Sequence, residues 1–319
     1  MRVLMLGTGA LGGLFAHHLL LGGAEVCALD IWQEHVEAIS RNGLRLQVDG
    51  REIVSPLRRA TTSPQDAGIA DLVVLFVKGY DSREALESVR PAITPHTVFV
   101  TLQNGLGNPQ LVREMFPANP VLFGLTTLTS DVLGPGRIEP RSTASGVTDV
   151  WALGEGDTAP LQSFVALLNR GGISARVNPQ IELSVWKKLV VNCALNGLCA
   201  VTDLNCGQMD DEEAMRQVLD GIADEVSLLA RSKGIALDAA LARSFLKEVT
   251  EASLEHYPSM VYDVRRRRRT EIENMNGAIV RESEQRGLAA PFNRVVYGLV
   301  RAVEGSYAST RARHPAEFG

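Results

Sequence analysis

RVLMLGTGALGGLFAHHLLLGGAEVCALD, residues 2 to 30, is the stretch that decides the fold. A short apolar run leads into a glycine-rich turn, then into apolar residues at helical spacing, and then into a second apolar run that ends in an acid. This order of strand, turn, helix and strand is typical of a dinucleotide-binding βαβ unit. We therefore predict a Rossmann domain. The cofactor contacts predicted at the turn come from Gly7, Thr8, Gly9, Ala10, Leu11 and Gly12.

Each glycine of the turn has a separate predicted task. Gly7 would allow the tight turn, Gly9 would let the backbone approach a pyrophosphate, and Gly12 would let the helix pack on the strand. Amide groups at the helix N-terminus would bind the phosphates.

Asp30, at the end of the second strand, bears on the choice of nucleotide. A carboxylate there accepts hydrogen bonds from a ribose 2′-hydroxyl and repels a 2′-phosphate. We predict NAD or NADP as the cofactor, with NAD favoured. Two alternatives stay open: Asp30 could be a surface residue that starts a turn, and Arg41, Arg45 or Arg51 could contact a phosphate.

Further apolar runs extend the predicted sheet. They are LRLQV (44–48), EIVSPLRRAT (52–61), DLVVLFVKGYD (71–81) and HTVFVTLQNGLGN (96–108). Alternation with helical segments implies parallel strands, which bind ligands at their carboxyl ends. Lys78 and Asn104 stand at such ends, so we predict that both line the cofactor site, although loop capping is an alternative. Ser130 is a further predicted cofactor contact, in a stretch that we interpret as extra strands.

From residue 180 onward the pattern is helical. The predicted fold class is α/β, an N-terminal Rossmann dinucleotide-binding domain (residues 1–178) followed by an all-α domain (residues 179–319). The segment from residue 181 to 204 is apolar nearly all round, as a buried helix is. Ser184, Lys188, Asn192 and Asn196 nevertheless recur in it at every fourth residue, on one face.

A buried polar group costs roughly 1 to 3 kcal/mol unless it is paired, so this stripe needs a reason. Either its residues form hydrogen bonds with neighbouring loops, or they line a ligand cleft in which Lys188 is a proton donor. A buried lysine can have a lowered pKa, which suits proton donation near neutrality.

LSVWKKLVVNCALNGLCA (183–200) and SMVYDVRRRRRTEIENMNG (259–277) resemble the ketopantoate reductase (2-dehydropantoate 2-reductase) family. Its hallmarks are W-[RK]-K-L-x-x-N-x-x-x-N-x-L and T-E-I-[DE]-x-x-N-G. MLGTGALGG, VKGYD and LQNGLG also match, so the resemblance covers essentially the whole chain. It implies a Rossmann domain joined to an all-helical domain like that of 6-phosphogluconate dehydrogenase, with the active site in the cleft between them.

The resemblance also implies residue roles. Lys188 would protonate the keto oxygen as hydride arrives from the nicotinamide, and Glu271 would contact and orient the substrate; these are the predicted catalytic residues. The predicted substrate-binding residues are Asn104, Asn192, Asn196 and Ser259. Ser259 follows Pro258 at a predicted helix start, where its hydroxyl and amide could hold a carboxylate.

The predicted function is therefore an NAD(P)-dependent reductase of a small anionic 2-oxo acid. Members of the family that use NADP commonly carry an arginine just past the second strand, whereas this chain has Asp30-Ile31, so a standard role in pantothenate biosynthesis is in doubt. The alternatives are a dehydrogenase of a different small hydroxy acid and a non-catalytic dinucleotide-sensing module.

Composition limits the other classes of function. The 319 residues carry a net charge of −5, which argues against a generally basic surface for nucleic acid or membrane. The four cysteines lack metal-site spacing and are predicted to be reduced core thiols. No apolar run approaches the roughly 18 residues of a membrane span. We predict a cytoplasmic enzyme without a metal, and a homodimer is plausible.

Five consecutive arginines, 265–269, are the local exception. We predict one helix from Pro258 onward, with an apolar stripe at Val261, Val264, Ile272, Met275 and Ile279. Arg268 falls in a gap of that stripe and is predicted to be partly buried and paired with an acid, whereas the other arginines point mostly outward.

Overall fold

The computed structural model describes residues 1–57, 59–141, 146–154 and 158–308. Within these residues the chain forms two compact units. The first contains residues 1–103 and 107–181, and the second contains the short loop Asn104–Leu106 and the chain from Glu182 onward. The domain boundary proposed from the sequence, between residues 178 and 179, lies close to the division after Ile181.

The first unit alternates strands and helices. Its strands are β1 (Arg2–Leu6), β2 (Glu25–Leu29), β3 (Arg45–Val48), β4 (Arg51–Val54), β5 (Ala60–Thr61), β6 (Leu72–Leu75), β7 (Val98–Thr101), β8 (Val121–Thr126), β9 (Ser130–Gly134), β10 (Arg137–Pro140), β11 (Val147–Ala152) and β12 (Ser174–Val177). Its helices are α1 (Ala10–Leu21), α2 (Gln33–Asn42), α3 (Ser82–Ser88), α4 (Asn108–Met115) and α5 (Ala159–Arg170).

The main sheet has the Rossmann order. Among the described strands, β5-β2-β1-β6-β7-β8 lie side by side and parallel, which is the order 3-2-1-4-5-6 of dinucleotide-binding folds. β11 adds to β8 in antiparallel orientation, and β12 pairs parallel with β11. The order reverses between β1 and β6, the place where such sheets bind ligands. The predicted Rossmann domain is confirmed.

β1 shows why its sequence is apolar throughout. Val3 and Met5 belong to the core that includes α1 and α5, whereas Leu4 and Leu6 belong to the core that includes α3. Successive strand residues point to opposite faces, and both faces of this strand are covered. A parallel strand buried on both sides loses the usual alternation of apolar and polar residues.

A second sheet corrects part of the sequence interpretation. β3 and β4 do not continue the parallel sheet but form a hairpin in a separate sheet of order β4-β3-β10-β9. Asp49 and Gly50 turn the chain back with positive φ of 48° and 75°. Asp-Gly between two strands is a strong hairpin signal, and here it outweighs the apolar runs that predicted parallel strands. The extra strands predicted beyond the core unit are confirmed as β9, β10 and β11.

The described part of the second unit is helical. α6 (Ile181–Val191), a π-helix (Asn192–Asn196) and α7 (Gly197–Thr202) follow one another without a break, so the predicted buried helix is confirmed with a π turn inside it. The remaining helices are α8 (Cys206–Asp210), α9 (Glu213–Ser232), α10 (Ala239–Glu251), α11 (Ser259–Arg265), α12 (Asn276–Gln285) and α13 (Pro291–Gly305).

Buried apolar residues of α6, α7, α9 and α13 form one core in this unit. All four cysteines of the chain are free and buried, as predicted. In the part of the chain that the structure describes, no helix is both long enough and apolar enough to cross a membrane.

The arginine run does not lie in one continuous helix. α11 ends at the first arginine, and Arg267 has a positive φ of 52°. The Arg267 amide donates to the Val264 carbonyl and the Arg268 amide donates to the Asp263 carbonyl. This pair of bonds is the Schellman termination, which usually has glycine at the left-handed position. The predicted single helix is wrong. Its end at Arg265 could not be predicted from a glycine, because Arg267 occupies the left-handed position where glycine is usual.

The residues of the predicted stripe still reach the core. Val261, Ile272, Met275 and Ile279 are buried, because the chain re-enters the unit through a short 3-10 helix and α12. Arg268 pairs with Asp263 at 3.7 Å, as predicted, but its side chain is 55% exposed, so the predicted burial is wrong. The residue lies beyond the helix end, where the helical register no longer applies.

Replacing Arg267 with glycine should raise the free energy of unfolding by about 0.5 to 1 kcal/mol, because a Cβ is strained in the left-handed conformation. Loss of the hydrogen bond from the Arg267 guanidinium to the Tyr307 carbonyl offsets part of the gain. Urea denaturation measures the difference. Arg266→Gly is the matched control: Arg266 has φ of −89°, so this change should destabilise. A less stable Arg267→Gly protein would contradict the strain argument.

Candidate active site

The glycine-rich turn between β1 and α1 leaves room for a ligand on one side. Gly7 has φ of +88°, and a Cβ there would lie 2.7 Å from the Val77 amide nitrogen. A Cβ on Gly12 would lie 2.0 Å from the Gly7 carbonyl oxygen. A Cβ on Gly9 would meet no described atom within 4 Å. Packing therefore requires the first and third glycines, whereas the second faces open space.

α1 begins directly after Gly9 and has no acidic residue in its first turn. The positive end of the helix dipole is therefore not offset by a neighbouring carboxylate of that turn. A pyrophosphate fits this arrangement, and the amides of Gly9, Ala10 and Leu11 would hold it.

Asp30 follows β2, and its carboxylate binds the turn itself. Oδ2 accepts hydrogen bonds from the Thr8 amide at 2.7 Å and the Thr8 hydroxyl at 3.1 Å. Oδ1 accepts from the Trp32 amide at 3.0 Å. A carboxylate has about four acceptor positions, so these bonds leave room for a ribose hydroxyl. Asp30 thus has a structural role that the sequence interpretation missed, beside its predicted one.

His35 holds the same turn through the Thr8 carbonyl. Its Nδ1 accepts from the Gly136 amide at 3.0 Å, so the proton is on Nε2, which donates to the Thr8 oxygen at 2.9 Å. Burial lowers the pKa of His35, which keeps the ring neutral. The Trp32 ring stacks on it at 4.9 Å between centroids. One histidine on an amphipathic helix gave no sequence signal of this role.

Lys78 and Ser130 lie in different parts of the first unit. Lys78 follows β6 at the carboxyl edge of the parallel sheet. Beside it, the Gln103 side chain donates to the Val77 carbonyl at 2.6 Å and joins the ends of β6 and β7. Ser130 begins β9, and its hydroxyl donates to the Glu139 carbonyl at 3.2 Å. Cofactor contacts from Lys78 and Ser130 stay predictions.

Lys188 lies in the last turn of α6 and is partly buried. Burial lowers its pKa to about 8, and the negative charge of Glu271 opposes this shift. Glu271 is itself buried, with 8% of its surface exposed. An ammonium group with this pKa is charged at neutral pH yet gives up its proton more readily than an ordinary lysine. It is suited to general acid chemistry.

The π-helix keeps the polar stripe on one face. In an α-helix every fourth residue is rotated by about 40°, because a turn takes 3.6 residues. A π-helix has wider turns, closed by bonds from residue i to i+5. Because the π-helix begins at Asn192, Asn196 stays closer to the face of Lys188 than it would in an α-helix. Asn196 is buried, and its Nδ2 lies 3.6 Å from the Met275 sulfur.

Residues 271–276, named here the 271–276 turn, contact several parts of the site. The negative charge of Glu271 raises the pKa of Lys188, and Met275 contacts Asn196. The carbonyl of Asn274 accepts from the Leu106 amide at 2.8 Å. Gly105 has φ of +85°, and a Cβ on it would lie 2.3 Å from that carbonyl oxygen. This close approach explains how the loop that carries Asn104 joins the second unit.

Ser259 is the first residue of α11 and is exposed, with Pro258 before it. The helix start predicted there is present. Binding of a carboxylate by Ser259 stays a prediction.

Comparison with known proteins gives the family. The model of the family "Ketopantoate reductase PanE/ApbA" matches residues 3–152, and that of its C-terminal part matches residues 180–304. The 2-dehydropantoate 2-reductase of Halobacterium salinarum is 30% identical over 305 residues, which are 95% of this chain and 99% of that protein. The chain belongs to the ketopantoate reductase family. The resemblance noted in the sequence is confirmed.

Another relative and two solved structures are similar over nearly the whole chain. The 2-dehydropantoate 2-reductase of Streptococcus pyogenes serotype M6 is 29% identical over 306 residues, 95% of this chain and 98% of that protein. The ternary structure of D-mandelate dehydrogenase with NADH and anilino(oxo)acetate has a TM-score of 0.91 and 28% identity, over 97% of this chain and 100% of that chain. A ketopantoate reductase from Ralstonia eutropha has a TM-score of 0.87 and 27% identity, with the same coverage.

These similarities confirm the predicted fold class. As a member of the ketopantoate reductase family, the protein is an oxidoreductase with a Rossmann-type NAD(P)-binding domain.

The predicted site residues fall into two sets, one in each unit. The first unit holds Gly7, Thr8, Gly9, Ala10, Leu11, Gly12, Asp30, Lys78 and Ser130. The second unit holds Asn104, Lys188, Asn192, Asn196, Ser259 and Glu271. Within the second set, Glu271 lies close enough to Lys188 to raise its pKa, and Asn196 contacts Met275 of the 271–276 turn. The sequence interpretation missed Gln103, which lies within the LQNGLG match, and Asn276, which is part of the T-E-I-[DE]-x-x-N-G hallmark.

Gly9→Ala should weaken NADH binding by roughly tenfold or more, because a methyl group would occupy the space left for the pyrophosphate. Its melting temperature should stay near that of the wild type, since the added Cβ meets no described atom. Gly12→Ala is the contrasting variant and should be destabilised by about 1 to 3 kcal/mol through overpacking. Fluorescence titration and thermal unfolding measure the two effects. Unchanged NADH affinity in Gly9→Ala would rule out this ligand position.

Proposed function

We propose that the protein is an NAD-preferring reductase of a small anionic 2-oxo acid, and that ketopantoate is the first substrate to test. The observation that carries this proposal is Lys188, a partly buried lysine whose pKa is lowered to about 8 beside the charge of Glu271. Its helix continues into the π-helix that contains Asn192 and Asn196. The family supports the reaction type, because its named members are 2-dehydropantoate 2-reductases.

The reaction needs a hydride at the carbonyl carbon and a proton at the carbonyl oxygen. A bound dihydronicotinamide supplies the hydride. In our proposal the Lys188 ammonium donates the proton, and the carboxylate of Glu271 maintains the charged form of Lys188 before transfer. Asn192 and Asn196 hydrogen-bond the oxygen atoms of the substrate and so hold its carbonyl in line with the proton donor. Partial burial strengthens each of these electrostatic contacts.

An acidic substrate also needs a partner for its carboxylate. The positive charge of Lys188 attracts an anion, and we propose that Ser259 and Asn104 supply hydrogen bonds to it. Ser259 supports this role by its position at the start of α11, where the helix dipole favours negative charge.

The preference for NAD is supported by the residues after β2. Ile31 is uncharged and 93% exposed, at the position where family members that use NADP commonly carry an arginine. Of the three arginines that follow, Arg41 pairs with Glu37 at 3.1 Å and Arg45 pairs with Glu52 at 3.6 Å. The carboxylate of Asp30 would repel a 2′-phosphate. NADH is also the nucleotide named in the similar D-mandelate dehydrogenase structures.

A second candidate is an NAD-dependent dehydrogenase of a different hydroxy acid. The TM-score of 0.91 to D-mandelate dehydrogenase favours including aromatic 2-oxo acids among the substrates. The same lysine would serve either substrate, because both reductions place a proton on a keto oxygen.

For partners, we propose small molecules rather than nucleic acid. In the arginine run, Arg265 pairs with Asp203 at 2.8 Å and Arg268 pairs with Asp263, so the chain itself neutralises part of that charge. A cytoplasmic location and a homodimer remain proposals from the sequence.

A panel of 2-oxo acids that contains ketopantoate and phenylglyoxylate, the 2-oxo acid of mandelate, tests the proposal. Each acid is assayed with NADH and with NADPH by the loss of absorbance of the reduced nicotinamide. We expect turnover of at least one acid and a lower KM for NADH than for NADPH. Absence of turnover with every acid would overturn the proposed reductase, and a lower KM for NADPH would overturn the proposed nucleotide preference.

The pH profile tests the proton donor. Because the protonated form of Lys188 is the active one and its pKa is about 8, kcat should fall as the pH rises through this value. Glu271 raises this pKa, so Glu271→Gln should move the fall to lower pH. Lys188→Ala should lower kcat by roughly 100-fold or more. Lys187→Ala is the matched control, because Lys187 lies over the Phe245 ring at 4.2 Å and should leave the profile unchanged. Retained turnover in Lys188→Ala would exclude it as the donor.

A further inference from the structure

A buried side chain holds the π-helix from outside. Asn276, the first residue of α12, is fully buried, and its Nδ2 donates to the carbonyl of Cys193 at 2.9 Å. Cys193 lies inside the π-helix. A carbonyl oxygen has two lone pairs, so an outside donor can share it with a helical amide. Such a bond draws the carbonyl away from the helix axis, which favours a wider turn over the α-helical one.

The orientation of the Asn276 amide is fixed by a chain of hydrogen bonds that starts at a carboxylate. Glu225 is buried in α9 and accepts from the Phe292 amide at 2.8 Å and from the Asn293 amide at 2.9 Å. It also accepts from Asn293 Nδ2 at 2.8 Å. Asn293 Oδ1 then faces Asn276 and accepts from its Nδ2 at 3.0 Å. Because a carboxylate only accepts, Asn293 must turn its Nδ2 toward Glu225 and its Oδ1 toward Asn276. Asn276 must then turn its Nδ2 toward Asn293, and the same nitrogen donates to the Cys193 carbonyl.

The other end of the Asn276 amide indicates why the residue is present. Its Oδ1 is buried and has no hydrogen-bond partner among the described residues. A buried acceptor without a partner lowers stability. The side chain therefore contributes through its two donated bonds, and one of these is to the π-helix.

We propose that Asn276 is a positioning residue that keeps residues 192–196 in the π conformation, so that Asn196 remains on the face of Lys188. Met275, its neighbour, contacts Asn196 directly through its sulfur atom. Two adjacent residues thus hold the π-helix at its backbone and at its functional side chain. The acting groups remain Lys188 and Asn196, and Asn276 acts through them. This inference rests on the proposed function for its catalytic consequence but not for its structural one.

The test compares Asn276→Ala with the wild type in the full-length protein. Without the Asn276 amide as donor, residues 192–196 should relax toward α-helical turns, which would rotate Asn196 away from Lys188. We expect kcat for the accepted 2-oxo acid to fall about tenfold or more, which corresponds to the loss of one positioning contact. The dissociation constant for NADH should stay within about twofold, because the glycine-rich turn belongs to the other unit. Hydrogen–deuterium exchange of a peptide covering residues 192–198 should become faster.

Asn205→Ala is the matched control. Asn205 caps α8, where its side chain accepts from the Gln208 amide at 2.9 Å. Within the described part of the chain, its side chain is bonded to α8 and not to the π-helix. Loss of this cap should destabilise the second unit. It should leave kcat and the exchange of residues 192–198 unchanged, so it separates a general loss of stability from a specific loss of position.

Glu225→Gln provides a second variant if Asn276→Ala does not fold. A glutamine offers one oxygen where three donors converge, so Asn293 and Asn276 lose their enforced orientation, and the same pattern of effects should follow. Wild-type kcat with unchanged exchange in Asn276→Ala would overturn the proposal, as would an equal loss of kcat in Asn205→Ala. If the wild type reduces none of the acids, the proposed function fails, and the exchange measurement still decides whether Asn276 holds the π-helix.

Discussion

Residues four apart cannot stay aligned along an α-helix, yet the polar face of the second unit repeats at every fourth residue. The mismatch of about 40° per step is relieved by one π-helix between α6 and α7. The wider turn keeps Asn196 near the face of Lys188, and it needs support because its geometry is rare. That support comes from Met275 and Asn276 of the 271–276 turn. Residues of the T-E-I-[DE]-x-x-N-G hallmark therefore hold the helix that carries the W-[RK]-K hallmark in the conformation it needs.

The first unit meets its own constraint in a different way. The glycine-rich turn must expose backbone amides to a ligand and still keep a fixed shape. Thr8 solves this, because Asp30 binds its amide and hydroxyl while His35 binds its carbonyl. With its own polar groups satisfied by the protein, the residue between the two glycines does not compete for the phosphates. Asp30, the acid after β2, therefore shapes the turn in addition to its predicted role toward the ribose.

Local patterns predicted much of this protein, and tertiary partners account for what they missed. The fingerprint of residues 2–30 was sufficient for the Rossmann order, because both strands, the turn and the helix are encoded next to one another. The stripe of residues 184–196 also predicted the face that carries Lys188, whose pKa is lowered by burial, since polar residues in an apolar helix are costly. The hairpin at Asp49-Gly50 also has a clear local signal, the Asp-Gly pair itself. The helix end at Arg267 had none, because a left-handed arginine replaces the usual glycine. The role of Asn276 depends on Glu225, about fifty residues earlier, which no local spacing reveals.

The loop Asn104–Leu106 has a consequence for how such proteins can diversify. It lies in sequence between β7 and α4 of the first unit, yet it packs with the second, where Leu106 borders the helical core. The two units are thus not two uninterrupted pieces of gene. A recombination event that exchanged the first 181 residues between relatives would also exchange a loop that carries a predicted substrate-binding residue. Under the proposed function, such an exchange would transfer the nucleotide-binding turn together with one proposed contact to the substrate, although that contact packs with the unit left behind.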